Sequence, residues 1–285
     1  MAERIVSEGV EAALGERLLS VRPMGGGCIG EVYRAELANG MAVVAKVDQE
    51  ARANLEREGY MLRYLREKTD LPVPEVYHSS DRLLLMQLIP GSNGLSGAEA
   101  HAAELLAGLH SITAEAYGHE RDTLIGSLSQ PNPWTESWIE FFRDHRLLYA
   151  ARIACEAGRL SVGLRERVEK LAERLGELLE EPERPSLIHG DAWSGNVLAE
   201  GDKITAFLDP AIYHADPEIE LAYINLFNSF GEPFFGRYSE LRPIKNGFFE
   251  ERRYLYGLYP LLVHVYYFGG GYARRVEYAL RRFGF

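Results

Sequence analysis

Residues 189 to 196 read His189-Gly190-Asp191-Ala192-Trp193-Ser194-Gly195-Asn196. Further along the chain, an apolar run ends in Leu208-Asp209-Pro210. Asp191 is a candidate general base, because its carboxylate can accept a proton from an acceptor hydroxyl. Asn196 and Asp209 carry the hard oxygen atoms that Mg²⁺ prefers. Their order and spacing predict a site that transfers a phosphoryl group from a nucleotide in the presence of Mg²⁺.

Short predicted strands surround this loop. Residues 186–188 read as a strand that delivers the loop, and residues 197–199 and 204–208 read as a hairpin. The hairpin would bring Asn196 and Asp209 close enough to contact one metal ion.

The loop also contains two aromatic residues, His189 and Trp193. His189 is assigned a structural role, because a histidine before Gly-Asp more often orients the loop through hydrogen bonds than takes part in the reaction. Trp193 is a candidate substrate contact, and its position is equally compatible with stacking on a sugar and with simple packing.

Length and composition limit the class of protein that this chain can be. A chain of 285 residues that is 46% hydrophobic can bury a full core. Its net charge of −11 argues against a nucleic-acid partner, because the phosphate backbone would be repelled. No apolar run is long enough to cross a bilayer, and the first residues lack the pattern of a secretory signal. We therefore expect a cytoplasmic protein without a membrane partner, and two cysteines are too few for a disulfide framework.

The pattern of the chain changes near residues 87 to 94. Strands are predicted before this point, at residues 18–24, 31–37, 41–47 and 82–88, with a helix at 50–68. Helical patterns dominate after it, at residues 97–113, 134–158, 161–181 and 251–282. We predict an α+β fold with a nucleotide-binding lobe at 1–90 and a mainly helical catalytic and substrate-binding lobe at 91–285. Gln87 and Leu88 lie in the hinge and are candidate nucleotide contacts.

A glycine-rich loop, Gly25-Gly26-Gly27-Cys28-Ile29-Gly30, separates the first two strands. Backbone amides in such a loop can approach phosphates closely, since no side chain stands in the way. Gly25, Gly26, Gly27 and Cys28 are therefore candidate ATP-binding residues.

Lys46 lies within the apolar third strand, where an unpaired ammonium group would be costly to bury. The following helix has Glu58 on its apolar stripe, between Leu55 and Leu62. We predict a Lys46–Glu58 ion pair that positions Lys46 on the nucleotide phosphates. Glu56 is a competing partner, but only Glu58 keeps the helical spacing.

The chain resembles the fructosamine kinase (ketosamine 3-kinase) family, a branch of the protein-kinase-like fold that includes aminoglycoside phosphotransferases and choline kinases. Besides the loops quoted above, the resemblance rests on Leu124-Ile125-Gly126 with Gln130 and Asn132, on Trp138 to Phe142, and on the tail Tyr259-Pro260-Leu261-Leu262 with His264 and Phe268-Gly269-Gly270-Gly271-Tyr272.

The resemblance implies a two-lobed kinase with an antiparallel sheet and a helix in the small lobe. It also implies ATP-dependent phosphorylation of the 3-hydroxyl of ketosamines such as fructoselysine or ribuloselysine, which destabilises the adduct and reverses glycation. Other small-molecule kinases of the aminoglycoside or choline type are the alternative, and a nucleotide-binding module without catalysis is a further one.

Several residues depart from the pattern of the family. Ala192 stands where Leu is usual, Gly30 where Asn or Ser is common, and Glu220 where Asp is usual. His214 and Pro217 belong to a segment that also differs and that lies close to the site. His214 is therefore a candidate substrate contact.

Cys28 allows two interpretations. Backbone amides beside a thiol in a phosphate-binding loop would favour the thiolate, so that oxidation or a disulfide-linked dimer could block ATP. The alternative is an unreactive small residue in a monomer.

Overall fold

A five-stranded antiparallel sheet, in the order β1-β2-β3-β5-β4, occupies the first part of the chain. The computed structural model describes residues 2–25 and 31–285. The strands of this sheet are β1 (Leu18–Pro23), β2 (Glu31–Leu37), β3 (Ala42–Val47), β4 (Val76–Ser79) and β5 (Leu83–Gln87). The strands predicted from sequence are confirmed to within one or two residues.

One helix covers each face of this sheet. Val43, Ala45 and Val47 of the central strand β3 share a core with helix α1 (Ala2–Leu14). The alternate residue Val44 packs instead in the core that includes helix α2 (Leu55–Lys68). Because side chains alternate along a strand, Lys46 lies on the α2 face with Val44.

Helix α2 begins at Leu55, later than the predicted start near residue 50. The Asp48 carboxylate accepts hydrogen bonds from the backbone amides of Glu50 and Ala53. Ala51 and Asn54 have left-handed backbone conformations, with φ of 56° and 52°. This side-chain-stabilised turn competes with the helix and delays its start.

The rest of the chain is mainly helical. The longer helices are α3 (Glu99–Leu109), α5 (Tyr149–Glu156), α6 (Val162–Ala172), α8 (Glu218–Leu226), α9 (Glu232–Leu241), α11 (Leu258–Phe268) and α12 (Gly271–Arg282). Short α-helical segments are α4 (Trp138–Phe142), α7 (Leu175–Leu178) and α10 (Arg253–Tyr256), and π-helical turns span Arg143–Leu148 and Phe248–Arg252. The α+β fold class is confirmed, whereas α1, α8 and α9 were not predicted.

Three predicted helices are interrupted, and the one expected at 161–181 is divided into α6 and α7. The helix expected at 134–158 contains the π-helical turn Arg143–Leu148 between α4 and α5. The helix expected at 251–282 is divided at Gly269 and Gly270, which have φ of 63° and 50°. Glycine adopts this conformation at little steric cost, so the chain can turn sharply before α12.

Three two-stranded sheets complete the large lobe: β6 (Thr123–Ile125) with β7 (Leu128–Gln130), β8 (Ser186–Ile188) with β11 (Tyr213–Ala215), and β9 (Val197–Glu200) with β10 (Lys203–Phe207). The division at residues 90 and 91 stays a prediction, and it falls just after β5. None of the described helices is long and apolar enough to cross a membrane.

Candidate active site

The loop that follows β8 is held in a tight conformation. Gly190 has φ of 82°, and a Cβ atom there would lie 2.2 Å from the carbonyl oxygen of Ala211. The Ala211 amide donates to the carbonyl of His189 at 2.7 Å, so the two chain segments are in direct contact. Only glycine fits at position 190, and this close approach sets the direction in which the next residue, Asp191, leaves the strand.

The Asp191 carboxylate receives two side-chain hydrogen bonds. The Tyr223 hydroxyl donates to one oxygen, and the Asn196 amide donates to the other at 2.8 Å. Burial raises the pKa of Asp191 to about 8, and the nearby Asp209 charge acts in the same direction. A positive ion bound beside Asp191 would favour the carboxylate form that a general base requires.

Glu220 on α8 fixes the backbone of the loop. Its carboxylate accepts hydrogen bonds from the amides of His189 at 3.1 Å and Gly190 at 2.6 Å, and it contacts the His110 ring at 2.8 Å. Burial favours a higher pKa, but the His110 hydrogen bond and the other donors outweigh it and lower the pKa of Glu220. The longer side chain that stands where the family usually has Asp therefore reaches the loop.

His189 has the position of a structural residue. Its ring is fully buried, lies tilted against the Phe207 ring with centroids 5.6 Å apart, and accepts a hydrogen bond at Nδ1 from the Asp191 amide at 3.3 Å. Burial lowers the pKa of His189, which favours the neutral ring. A neutral acceptor at Nδ1 serves to orient the loop.

Asn196 and Asp209 lie where the predicted hairpin places them. The Leu208 amide donates to the Asn196 carbonyl at 2.8 Å, which joins the two segments. Asp209 has a left-handed backbone with φ of 51°. The Asn196 amide nitrogen is used by Asp191, so its side-chain oxygen can serve as a ligand, and one Asp209 oxygen is likewise available. An amide and a carboxylate oxygen fit Mg²⁺.

These protein ligands alone would not complete a metal site. Within residues 2–25 and 31–285, no three His, Cys, Asp or Glu side chains form a metal-binding group. Mg²⁺ is usually held by one or two protein ligands together with water and substrate phosphates, so a site of this kind does not need a third protein ligand.

Lys46 joins the two lobes. Its ammonium group lies 2.6 Å from Glu58 Oε1 and also donates to Asp209 Oδ1. Burial would lower the pKa of Lys46, but the charges of Asp209 and Glu58 outweigh it and raise the pKa. The predicted Lys46–Glu58 pair is thus present, while Glu56 pairs with Arg121 at 3.1 Å instead.

The structure describes some of the other predicted nucleotide contacts. Gly25 lies at an exposed bend after β1, whereas Gly26, Gly27 and Cys28 lie outside the described residues. Gln87 ends β5, and Leu88 packs partly buried against the core. Their binding roles remain predictions.

The two predicted substrate contacts have different surroundings. Trp193 is 36% exposed, and a Cβ atom on Gly195 would lie 2.3 Å from its ring, so the indole lies flat against that glycine. His214 is only 4% exposed and is covered by the rings of His119 and Trp134. Trp193 can offer surface to a ligand, whereas His214 is placed mainly to support its neighbours.

An aromatic cluster that sequence reasoning did not assign to the site lies beside Asp191. Tyr223, which contacts Asp191, packs against Phe227 with ring centroids 4.9 Å apart. Phe227 continues to His264 at 4.6 Å, and His264 to Tyr272 at 4.9 Å. His264 and Tyr272 belong to the tail that carries part of the family resemblance, and this resemblance was the one indication that they matter. Nothing in the sequence placed that tail next to the loop.

A sheet lobe with a Lys–Glu pair and a helical lobe with an Asp–Asn loop together define a phosphotransferase of the protein-kinase-like fold. The model of the fructosamine kinase family matches residues 3–283, and the chain belongs to this family. Membership makes it a kinase that uses ATP and acts on a hydroxyl group.

Individual relatives agree with this assignment. A Synechocystis protein named "Probable ketoamine kinase" is 32% identical over 93% of this chain and 90% of its own length. The chloroplastic protein-ribulosamine 3-kinase of Arabidopsis thaliana is 30% identical over 95% of this chain and 83% of its own length. A solved structure from Thermobifida fusca that carries the name fructosamine-3-kinase is 33% identical, with a TM-score of 0.86 over 97% of each chain.

The aminoglycoside phosphotransferase APH(4)-Ia, solved with ADP and hygromycin B, shares the fold more distantly. Its TM-score is 0.70 over 97% of this chain and 98% of its own, at 16% identity. At this identity the likeness extends to the fold alone.

Proposed function

We propose that this kinase transfers the γ-phosphoryl group of ATP to a sugar hydroxyl of ketosamines such as fructoselysine or ribuloselysine, at the 3-hydroxyl, and so promotes deglycation. The observation that carries the proposal is the family match over residues 3–283. It is supported by the arrangement of Lys46, Asp191, Asn196 and Asp209, which direct hydrogen bonds bring together.

The residues of the cleft have distinct roles in this proposal. Lys46, held by Glu58, contacts the phosphates, while backbone groups of the glycine-rich loop at 25–28 and of the hinge at Gln87 and Leu88 hold the nucleotide. The lobes at 1–90 and 91–285 close on it from either side. Asn196 and Asp209 would hold Mg²⁺, which supplies positive charge that neutralises the transferring group when bound.

The acceptor hydroxyl is oriented and deprotonated at Asp191. One Asp191 oxygen is occupied by Tyr223 and the other by Asn196, so the remaining lone pairs point in fixed directions. The acceptor proton would pass to one of these oxygens as the hydroxyl attacks. Trp193 and the aromatic cluster from Tyr223 to Tyr272 provide flat surfaces suited to the C–H faces of a sugar. His214 is covered by the rings of His119 and Trp134 and would act by supporting them.

A substrate panel tests this proposal directly. The protein is incubated with Mg-ATP and fructoselysine, ribuloselysine, an aminoglycoside or choline, and each product is analysed by mass and by the carbon that carries phosphate. We expect a ketosamine phosphorylated at carbon 3. Phosphorylation of only the aminoglycoside or choline would contradict the substrate assignment, and turnover of none would contradict the catalytic one.

A further inference from the structure

A cavity of about 340 Å³ lies in the large lobe between α8, α10, α11 and α12. Cavities of this volume commonly hold small molecules. On α8 the cavity is lined by Ala222, Asn225 and Leu226, whereas the adjacent Tyr223 points to Asp191. The cavity and the phosphoryl-transfer site therefore occupy different faces of one helix, and none of the residues assigned to that site lines the cavity.

The inner surface of this cavity is largely apolar. Leu226, Leu261 and Ala279 contribute aliphatic surface, and the rings of Tyr254 and Tyr278 also line it. Tyr278 is 64% exposed, which is high for so large a ring. Such a surface suits the apolar body of a small molecule.

Three arginines also line the cavity: Arg253 on α10, and Arg274 and Arg275 on α12. In the part of the chain that the structure describes, none of them forms an ion pair with a carboxylate. Among residues 2–25 and 31–285, Arg253 and Arg275 donate only to neutral oxygens, those of Asn225, Tyr254 and the Leu226 backbone. Within the same residues, the buried Nε of Arg253 has no partner.

Neighbouring arginines outside the cavity do have carboxylate partners. Arg252 lies 2.6 Å from Glu218, and Arg281 lies 2.8 Å from Glu277. In a chain with a net charge of −11, three arginines without carboxylate partners around one apolar cavity form a concentrated positive region. Helix α12 begins at Gly271 in the cavity lining, and the positive end of its dipole adds to this region.

We propose that this cavity binds a small amphipathic anion, with a carboxylate or phosphate ester as its head and an aromatic or aliphatic body. The body occupies the surface formed by Leu226, Leu261 and the tyrosine rings. Guanidinium groups bind the head, because their planar donors match carboxylate and phosphate oxygens. This binding requires neither ATP nor the acceptor, so it stands apart from the proposed catalytic activity.

Direct binding measurements test the charge requirement. Calorimetry and ligand-observed NMR are carried out with 3-phenylpropionate and phenyl phosphate, and with neutral 3-phenylpropan-1-ol as the matched control. For ligands of this size we expect a Kd on the order of 1 mM or tighter for at least one anion. Comparison of the two anions shows whether carboxylate or phosphate is preferred. Equal binding of the alcohol, or no anion binding at about 10 mM, would overturn the proposal.

Variants of the cavity residues test whether the anion binds in this cavity. Replacing both Arg274 and Arg275 by Ala should weaken anion binding by about tenfold or more, since charge-assisted hydrogen bonds are lost. Arg281→Ala removes one arginine from the same helix outside the cavity and should leave the Kd unchanged. Tyr278→Ala, at an exposed position, should also weaken binding by removing one wall. Thermal unfolding verifies that each variant is folded, and equal affinities in the double variant and Arg281→Ala would refute the assignment.

Discussion

At the scale of single residues, the environment of Asp191 accounts for its proposed role. Its two carboxylate oxygens are already used by Tyr223 and Asn196, and its backbone is fixed through Glu220 contacts to the preceding two amides. A base that is restrained in this way loses little orientational freedom when the acceptor binds. Substitutions here should therefore change turnover more than the binding of ATP.

Asp191→Asn keeps the shape of the side chain but removes the proton acceptor. We expect kcat to fall by on the order of 10² to 10⁴, the usual range for general-base catalysis, with KM for ATP nearly unchanged. Steady-state kinetics check this. Asp202→Asn, in the exposed turn between β9 and β10, is the matched control and should behave like wild type. Near-normal turnover in Asp191→Asn would remove this residue from the role of base.

Tyr223→Phe tests whether the hydroxyl positions Asp191. Losing one hydrogen bond to a charged group should lower kcat by on the order of 10-fold. KM for ATP should stay close to the wild-type value, because Tyr223 belongs to the acceptor side. Tyr77→Phe, in β4 on the α1 side of the sheet, is the control. A change in KM for ATP without a change in kcat would argue against the positioning role.

At the scale of elements, the position of α2 decides where Glu58 lies. Gly59 follows it directly, and a Cβ atom at position 59 would lie 2.5 Å from the Cβ of Ser79 in β4. The helix can approach the sheet this closely only because residue 59 has no side chain. The geometry of the Lys46–Glu58 pair therefore depends on a glycine that makes no contact with the nucleotide.

Gly59→Ala should force α2 and β4 apart. We expect a loss of about 1 to 3 kcal/mol in the free energy of unfolding, as is usual for overpacked positions, measured by chemical denaturation. Gly108→Ala in α3 has no heavy atom within 4 Å of the new Cβ and should instead stabilise by about 0.5 to 1 kcal/mol. Equal effects of the two changes would contradict a close approach at Gly59.

An element could be predicted from the sequence where apolar and polar residues alternate with a regular period. Glu58 was found because it occupies a position on the apolar stripe of α2. Helix α8 could not be found in this way, since it is buried on nearly all sides, including Glu218 and Glu220, and shows no amphipathic period. Tyr223 on that helix was therefore not singled out from the sequence. Helix α1 did carry a detectable signal, with Val6 and Val10 on one face.

At the scale of the whole molecule, Lys46 connects the lobes through Glu58 and Asp209. Lys46→Met keeps an unbranched side chain of similar length but removes the positive charge that Glu58 and Asp209 share. We expect a higher KM for ATP and lower turnover, since the phosphates lose a positive partner. Lys68→Met, at the exposed end of α2, is the control. Unchanged turnover and an unchanged response to ATP in Lys46→Met would exclude this role.

Global stability should depend on the protonation of Asp216. Burial raises the pKa of Asp216 to about 6, and the Glu218 charge acts in the same direction. The folded protein therefore binds this proton more tightly than the unfolded chain, so the stabilisation is present below about pH 4 and is lost as the pH rises through about 6. The loss attributable to this group is on the order of 2 to 3 kcal/mol.

Comparison with Asp216→Asn isolates this contribution, because the amide does not titrate. Urea unfolding of both proteins across this range should show the stability of wild type falling relative to the variant as the pH rises. Asp202→Asn should follow wild type at every pH. Parallel pH profiles for wild type and Asp216→Asn would contradict the elevated pKa.

The contact between Trp193 and Gly195 also restricts how this loop can evolve. A side chain at position 195 would collide with the indole at 2.3 Å, so a mutation of Gly195 is tolerated only after Trp193 has become smaller or has moved. We expect the two positions to substitute together among descendants of this gene. Replacement of Trp193 should come first, because the opposite order would pass through a protein in which the new side chain at position 195 collides with the indole.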